Sequence, residues 1–459
     1  MNKEYKELRK NTLIIAIANL GSKIISFILA PLYSYYMSVS QYGTMDIITS
    51  TVTLVAPFVI LDVYEATFRY ANDPNYDNRK VLSTSVAFCI PGLLLCGCLY
   101  IISSCGSIFP SYFGAVCICI MATVVNYVLK QYLRGIGKMA YFASSGIIGA
   151  ISLLICNYIF LVYLRMKLDG WLYSFLISRI IETIYLLAVT KFINVFSFKA
   201  ISKEYMQEFI RFCIPLMPTA IMWWIMSLSD RYMLAYFMGT AATGLYAVAN
   251  KLPNLLSVFE NIFYQAWQTT AISTSNHTDK EVIYSSVFNN YLIVMMIGML
   301  GVLVIGKPMV VILFEKTYSQ AYLYVPVLIA AVVLHAINGN LGSLYTVFKN
   351  TKGALYSTII GAMTNVILNC IFIPYFGVMG ASLTTLLGYL FTLIYRWFDT
   401  KKFVKIVLDK KKLSIMGLLV LISFCFYYVN GVVSYSIRII ILLYALIKNA
   451  KLLMSVLKR

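Results

Sequence analysis

The chain has 459 residues, of which 60% are hydrophobic and 12% are charged, and its formal net charge is +19. So apolar a composition excludes an ordinary soluble globular protein. The positive charge would suit nucleic acid, but the Lys and Arg residues are dispersed over short gaps between apolar stretches. The anionic surface of a membrane leaflet explains them better, so no nucleic-acid partner is expected.

Fourteen apolar stretches follow one another along the chain, and most have the roughly 20 residues that a helix needs to cross a bilayer. They predict an all-α integral membrane protein with about fourteen transmembrane helices. No gap between them is long enough to hold a soluble domain. The predicted spans are 12–36, 44–68, 81–103, 108–129, 141–164, 171–190, 209–237, 242–270, 283–305, 320–347, 354–374, 378–398, 413–429 and 432–450.

Most of the 37 Lys and Arg residues lie at the N-terminus, in every second gap and in the C-terminal tail. Positive residues accumulate in the cytoplasmic segments of membrane proteins. Both termini are therefore predicted to be cytoplasmic, which requires an even number of spans. The first apolar run is too long for the core of a signal peptide and is predicted to be a retained helix.

The motifs of common soluble catalysts are missing from the sequence. It has no P-loop, no dinucleotide-binding fingerprint and no metal-ligand constellation. The ten Cys residues show no zinc or redox spacing and are expected to pack within apolar spans. His335 is the only histidine within a predicted span, and it is expected to make a structural hydrogen bond. We therefore expect no enzyme, no cofactor and no metal.

The two halves of the chain repeat. Three segment matches occur in the same order: 36–43 with 237–244, 62–71 with 257–266, and 137–141 with 352–356. The second match pairs Glu65 with Glu260, and a later one pairs Gly170 with Gly380. Because six spans separate the matched segments, both halves insert with the same orientation, which makes the repeat parallel.

The repeat predicts three parts of the chain. Residues 1–203 form an N-terminal six-helix lobe, and residues 204–400 form a C-terminal six-helix lobe. Residues 401–459 form a basic linker and two additional transmembrane helices. The two lobes are predicted to be pseudo-symmetric bundles.

Short motifs carry a resemblance to a known family. They are Ser40–Gly43 after the first span, Gly244–Lys251 opening the eighth, Phe263–Gln268 late in the eighth, and Gly377–Leu383 before the twelfth. With these motifs and twelve plus two spans, the whole chain resembles the polysaccharide-transporter branch of the multidrug/oligosaccharidyl-lipid/polysaccharide exporter superfamily, which includes the Wzx-type repeat-unit flippases of bacteria. The resemblance implies two six-helix bundles around a central cavity with alternating access. It also implies a substrate of short glycan on undecaprenyl pyrophosphate.

Lys23 lies near the middle of the first span, where a charge costs about 2.5–3.5 kcal/mol on insertion scales. Asn19, Lys23 and Ser26 fall on one helical face. A polar stripe with a lone cation suits a water-filled cavity and an anionic substrate. The alternative is a lysine that pairs with a neighbouring helix.

The eighth span carries a longer polar stripe, with spacings of three and four residues. Its members are Asn250, Asn254, Ser257, Asn261, Gln265 and Gln268, with Lys251 and Glu260 at its border. Amide side chains hydrogen-bond sugar hydroxyls, and they also join helices. A stripe over about five turns exceeds one packing contact, so it is predicted to line a cavity. Pro253 is predicted to break this helix.

Four further charged residues within spans are possible coupling groups or ion pairs of the lobes. Glu65 and Glu260 either pair with cations within each lobe or carry protons during transport. Arg179 and Glu182, three residues apart in the sixth span, are predicted to neutralise each other.

Two polar pairs are predicted to be structural. Asp230 and Arg231 lie near the outer end of the seventh span and are predicted to snorkel there. Asn365 and Asn369 form a short amide face in the eleventh span that is predicted to serve packing.

The predicted function is a flippase that moves a lipid-linked oligosaccharide from the inner to the outer leaflet of the bacterial cytoplasmic membrane for cell-surface polysaccharide synthesis. Lys23 and Lys251, one from each lobe, are predicted to hold the pyrophosphate as point charges. The expected partners are this substrate, the phospholipid bilayer and polysaccharide polymerase machinery. The alternatives are a cation-coupled multidrug antiporter of the same superfamily, a peptidoglycan-precursor flippase, and a membrane glycan polymerase or ligase, which the short outer loops disfavour.

Overall fold

The computed structural model of the chain describes residues 21–105, 112–274, 279–348 and 350–457. Helices dominate these ranges and no strand occurs in them, which confirms the predicted all-α fold class. A helix lies in every one of the fourteen predicted spans. Seven of the described helices are long and apolar enough to cross a membrane, or eight if a pair bent by 62° counts as one span. The protein is therefore a multi-pass membrane protein.

The chain divides into two compact units, Met1–Trp224 (unit 1) and Ile225–Arg459 (unit 2). The described helices of unit 1 are α1 (21–36), α2 (Val39–Val59), α3 (Val63–Ala71), α4 (Asn78–Cys105), α5 (Phe113–Gly135), α6 (Met139–Asn157), α7 (Lys167–Thr190), α8 (Phe192–Val195) and α9 (Lys203–Cys213). Helix α10 (Met217–Met238) crosses the boundary. Those of unit 2 are α11 (Thr240–Ala249), α12 (Pro253–Thr274), α13 (Lys280–Leu313), α14 (Val325–Val347), α15 (Thr351–Asp399), α16 (Lys410–Tyr427), α17 (Val432–Lys448) and α18 (Ala450–Leu457).

Helix α9 packs within unit 1, although the predicted lobe boundary lies between residues 203 and 204. The Tyr205 hydroxyl accepts a hydrogen bond from the Asp77 amide at 3.2 Å, which ties α9 to the start of α4. Pro215 follows α9, and the chain passes through a short 3-10 turn before α10 begins. The seventh span therefore begins at 217 rather than at the predicted 209. The three-part domain division stays a prediction.

The second span of each half is broken. In unit 1, α2 and α3 are separated by a turn in which Leu61 and Asp62 both adopt left-handed backbone angles, with φ of 52° and 60°. In unit 2, α11 ends at Ala249 and α12 begins at Pro253, so the break predicted from the proline is present. Breaks of this kind within spans are typical of the substrate and ion sites of transporters.

The glycines that the repeat pairs, Gly170 and Gly380, have equivalent roles. A Cβ on Gly170 would lie 2.9 Å from the Phe160 carbonyl oxygen, and a Cβ on Gly380 would lie 2.4 Å from the Phe372 carbonyl oxygen. Each glycine therefore lets the sixth span of its half approach the backbone at the end of the preceding span. The two halves of the chain therefore share the same close contact at the paired glycine.

We expect Gly380→Ala to destabilise the protein by about 1–3 kcal/mol, because the added methyl group meets backbone atoms that cannot move aside easily. Thermal unfolding of the purified protein in one fixed detergent measures the change. Gly417→Ala in α16 is the control, since a Cβ there would meet no atom within 4 Å and alanine favours a helix. An unchanged melting temperature for Gly380→Ala would contradict the close approach.

Helix α15 contains two predicted spans, 354–374 and 378–398, and the chain reverses direction between them. Gly377 lies at the reversal with φ of 53°, a conformation that glycine adopts without strain. The two arms then pack on each other, since a Cβ on Gly388 would lie 3.2 Å from the Cβ of Asn365. The eleventh and twelfth spans are therefore joined without a loop.

The linker between α15 and α16 is held along α13 by a ladder of hydrogen bonds. Acceptors four residues apart on one face of α13 bind the amides of alternate linker residues. The bonds run from the Lys405 amide to Glu281 Oε1 (3.2 Å), from the Val407 amide to Ser285 Oγ (2.9 Å) and from the Asp409 amide to Asn289 Oδ1 (2.9 Å). Four helical residues rise about 6 Å and two extended residues about 6.6 Å, so the two periods stay in register.

The two helices that follow the linker pack against α13. A shared apolar cluster joins α13, α16 and α17 through residues that include Ile297, Leu300, Met416 and Ile441. The buried Arg438 on α17 also donates to the carbonyl of Leu303 at 2.7 Å. The two helices outside the repeat are thus an integral part of unit 2.

Candidate functional site

A cluster of three charged side chains, built around a buried carboxylate, lies in unit 1. The Glu182 carboxylate on α7 is completely buried and accepts a hydrogen bond from the Arg179 guanidinium at 2.5 Å. The Lys130 ammonium on α5 forms an ion pair with the other oxygen of the same carboxylate. Two cations and one anion leave this cluster with one net positive charge.

The packing of α5, α6 and α7 sets the geometry of this cluster. Asn126, one turn before Lys130, donates a hydrogen bond to the Arg179 carbonyl at 3.3 Å and so ties α5 to α7. On α6, a Cβ at Gly149 would lie 3.0 Å from the carboxyl carbon of Glu182. The small residue at this position leaves room for the carboxylate between the helices.

The cluster lines a cavity of about 250 Å³ formed by α1, α5, α6 and α7. Ser22 and Ser26 line it from α1, and Lys130, Arg179 and Glu182 line it from α5 and α7. The Nε of Arg179 is buried and has no hydrogen-bond partner in the described part of the chain. An ammonium and a guanidinium with an unpaired N–H are the donors that phosphate oxygens bind. The cavity is therefore chemically suited to a phosphate-type anion.

Lys23, which the sequence predicts to hold the substrate, is exposed on α1. Its neighbours Ser22 and Ser26 line the cavity, but the Lys23 side chain is not part of the lining. Asn19 lies outside the described residues. The role of these two residues stays a prediction, and the cations that the structure places at the cavity are Lys130 and Arg179.

Sequence reasoning missed Lys130 because the fourth span was predicted to end at residue 129, so that Lys130 counted as a loop residue. Helix α5 continues to Gly135. The sequence does contain a signal, since Asn126, Lys130 and Arg134 recur every four residues and share one helical face. Polar residues that continue a four-residue spacing past the end of an apolar run indicate that the helix is longer than hydropathy alone predicts.

The predicted amide stripe of the eighth span divides between α11 and α12. The side chains of Asn250 and Asn261 each donate to the carbonyl four residues earlier, at 2.9 and 2.8 Å. Asn254 and Asn261 are exposed, and Lys251 is half-buried at the break between the helices. The side chain of Gln265 lies outside the described part of the chain. Contact of this stripe with a glycan stays a prediction, as does the role of Lys251.

The repeat-equivalent carboxylates Glu65 and Glu260 have different surroundings. Glu260 is buried on α12, and its Oε1 lies 2.9 Å from Nδ1 of His335 on α14. Its Oε2 is buried without a hydrogen-bond partner among the described residues. Glu65 lines a separate cavity of about 610 Å³ beside Arg69, with no cationic nitrogen within 4 Å in the described ranges. The two carboxylates therefore have different chemical roles available to them.

Asp230 is buried, so the prediction that it snorkels at the end of its span is wrong. Its carboxylate accepts hydrogen bonds from Tyr246 Oη at 2.9 Å, Asn369 Nδ2 at 2.6 Å and Thr385 Oγ1 at 2.5 Å. Asn369 also donates to Asn365 Oδ1 at 3.1 Å, which extends the network along α15. These three donors are neutral hydroxyl and amide groups.

The profile of the family described as "Polysaccharide biosynthesis protein" matches residues 8–268, and no curated protein matches the chain. A lipid II flippase MurJ structure in an inward closed conformation aligns with a TM-score of 0.70 and 15% identity, covering 97% of this chain and 100% of that one. An outward-facing multidrug resistance MATE transporter aligns with a TM-score of 0.64 and 14% identity, covering 91% and 99%. A transporter of the MOP superfamily from Pyrococcus furiosus aligns with a TM-score of 0.61 and 13% identity, covering 88% of this chain and 99% of that one. These likenesses establish the fold.

Proposed function

Because the chain belongs to the polysaccharide biosynthesis protein family, we propose that it is a flippase for undecaprenyl-pyrophosphate-linked oligosaccharide repeat units. It moves them from the inner to the outer leaflet of the bacterial cytoplasmic membrane by alternating access, with both of its termini in the cytoplasm. On the outer side the units pass to polysaccharide polymerase machinery. The observation that carries this proposal is the cationic cavity of unit 1.

Lys130 and Arg179 are the groups that hold the pyrophosphate in this proposal. Glu182 neutralises part of their charge when no substrate is bound, so the site is stable while empty. An incoming pyrophosphate competes with Glu182 for both cations. The competition limits the affinity, and a limited affinity allows release on the far side of the membrane.

Two forces can drive export. The pyrophosphate diester carries about two negative charges, and an inside-negative potential pushes them outward with roughly 4–5 kcal/mol per 100 mV. Glu260 and His335 lie 2.9 Å apart on two helices, and proton coupling is the role that we propose for this pair. Glu65 has no comparable partner among the described residues and is not assigned a coupling role.

A multidrug antiporter of the same superfamily is the second candidate, because the MATE transporters share the fold. A cavity for cationic drugs needs an excess of acidic groups, and the unit 1 cavity has an excess of positive charge. The buried carboxylates Asp230 and Glu260 in unit 2 are the features that favour this alternative. A peptidoglycan-precursor flippase would use the same phosphate chemistry with a different glycan.

Deletion of the gene in its host, followed by mass spectrometry of undecaprenyl-linked glycans, tests the proposal. Accumulation of a complete lipid-linked repeat unit is expected. Complementation with Lys23→Ala and Lys251→Ala then tests the cations that the sequence predicts. An unchanged lipid pool, together with new sensitivity to cationic dyes, would replace the flippase with the drug antiporter.

A further inference from the structure

An apolar groove opens on unit 2 where α13, α14 and α15 meet the linker to α16. Its volume is about 390 Å³, and every side chain that lines it is apolar. Phe288 and Leu292 contribute from α13, Leu393 and Trp397 from α15, and Leu408 from the linker. The groove therefore has the chemistry of a hydrocarbon site.

A small pocket that two lysines help to line adjoins this groove through a shared residue. Trp397 lines both the groove and a pocket of about 40 Å³ that also contains Lys401 and Lys405. The Lys401 ammonium lies 4.7 Å from the centre of the Phe398 ring and 5.9 Å from that of Trp397. Tryptophan beside lysine at the end of an apolar run is typical of the membrane–water interface. The hydrocarbon site thus ends at a cationic site of interfacial depth.

The two lysines at this pocket differ from Lys402 and Lys412 in charge pairing. Lys402 lies 2.7 Å from an Asp399 carboxylate oxygen, and Lys412 lies 3.3 Å from an oxygen of Asp409. In the ranges that the structure describes, neither Lys401 nor Lys405 has a carboxylate oxygen within 4 Å. Their positive charges are therefore left for an external anion.

Lys401 and Lys405 are exposed, and the backbone at Lys405 is held against α13. The ladder to α13 holds the Lys405 and Val407 amides, and Val404 between the two lysines is buried. The fold therefore sets the backbone on which the pocket is built. An anion there would meet two ammonium groups over a rigid support.

We propose that this groove and its pocket bind one anionic glycerophospholipid from the surrounding leaflet, with an acyl chain in the groove and the phosphate at Lys401 and Lys405. Charge complementarity selects the anionic class, since a zwitterionic headgroup offers no net charge to the two lysines. The site stabilises the junction between α15 and the linker, and it is separate from the cavity of unit 1 in which we place the substrate.

Thermal unfolding of the purified full chain in mixed micelles tests this site. The probes are dioleoyl phosphatidylglycerol and, as the neutral comparison, dioleoyl phosphatidylcholine. We expect phosphatidylglycerol to raise the melting temperature of the wild type by several degrees and to be retained in native mass spectra. Lys401→Gln with Lys405→Gln should remove both effects. Ile394→Trp, which fills the groove and leaves the lysines in place, should remove them as well.

A matched control separates the site from general electrostatics. Lys410→Gln with Lys411→Gln removes the same charge at the start of α16, away from the pocket, and should leave the lipid effect intact. Equal stabilisation by the two phospholipids would overturn the proposal, and so would equal loss in both lysine double variants. Displacement of phosphatidylglycerol by undecaprenyl phosphate at equal concentration would assign the groove to the lipid of the substrate and would also overturn it.

Discussion

Lys130→Gln is expected to lower export of the lipid-linked glycan by roughly 10- to 150-fold. The substitution removes one of two cations from the unit 1 cavity and leaves Glu182 paired with Arg179, so the cavity becomes neutral. A hydrogen bond to a charged group is worth about 1.5–3 kcal/mol, and each 1.4 kcal/mol is tenfold in an equilibrium. Flipping of a dye-labelled lipid-linked glycan in proteoliposomes measures the loss.

Glu182→Gln is expected to act in the opposite direction on binding. Without the carboxylate, Lys130 and Arg179 are two uncompensated cations, so the headgroup should bind more tightly and leave more slowly. The double variant K130Q/E182Q returns the cavity to one net positive charge and should recover a large part of the export that K130Q loses. Such recovery measures the coupling between the two side chains directly.

Lys138→Gln supplies the control for this series, because Lys138 is exposed in the turn between α5 and α6 and is not part of the cavity lining. It should transport as the wild type does. A K130Q protein that is well folded and flips at the wild-type rate would rule out Lys130 as a headgroup ligand. Additive losses in K130Q/E182Q would show that the pair does not set the charge of the site.

The second large effect is expected at the buried pair of unit 2. His335→Ala should lower the free energy of unfolding by about 3 kcal/mol, because it leaves the Glu260 carboxylate buried without its partner. This figure is the low end of the range for broken buried pairs, since 29% of the His335 side chain is exposed. The double variant E260Q/H335N replaces the pair with two neutral amides of similar size and should be much closer to the wild type.

The same double variant separates structure from coupling. If Glu260 and His335 carry the proton, E260Q/H335N should fold but its export should no longer respond to an imposed pH gradient. In the part of the chain that the structure describes, the titratable side chains near this pair include Tyr291 on α13, Tyr264 on α12 and Tyr389 on α15, and Arg396 acts on Tyr264. Tyr389→Phe keeps the ring beside His335 and should leave the pH response in place.

Glu65→Gln is the control for this pair, because Glu65 is the repeat-equivalent carboxylate without a close cation. It should change stability by less than His335→Ala and leave the pH response intact. A double variant that still couples export to the pH gradient would exclude Glu260 and His335 as the proton carriers. Marginal destabilisation by His335→Ala would show that the pair contributes little to folding.

Features that depend on one stretch of sequence could be predicted. The apolar runs place helices in all fourteen spans, and Pro253 breaks the eighth as its missing N–H requires. Gly170 and Gly380 could be paired because the repeat preserves small residues where helices approach closely. Each of these inferences uses a local rule of hydropathy, backbone chemistry or size.

Features that depend on contacts between distant segments could not be predicted. Two of the three donors to Asp230, Asn369 and Thr385, lie 139 and 155 positions further along the chain, so a rule about span ends cannot predict its burial. Hydropathy ends the fourth span before the charge of Lys130, whereas the ion pair with Glu182 stabilises Lys130 within helix α5. The partner of His335 on α14 is Glu260 on α12, which likewise lies far away in the sequence.

The ladder that holds the linker on α13 uses amides of the linker backbone and side chains of α13 only. Every residue other than proline supplies the same backbone amide, so the path of this segment is nearly independent of its side chains. Substitutions at linker positions 401 and 405 can therefore accumulate over evolutionary time while α16 and α17 stay docked. Descendants of this protein can change the lipids they prefer without redesigning the fold, provided that Glu281, Ser285 and Asn289 keep their spacing.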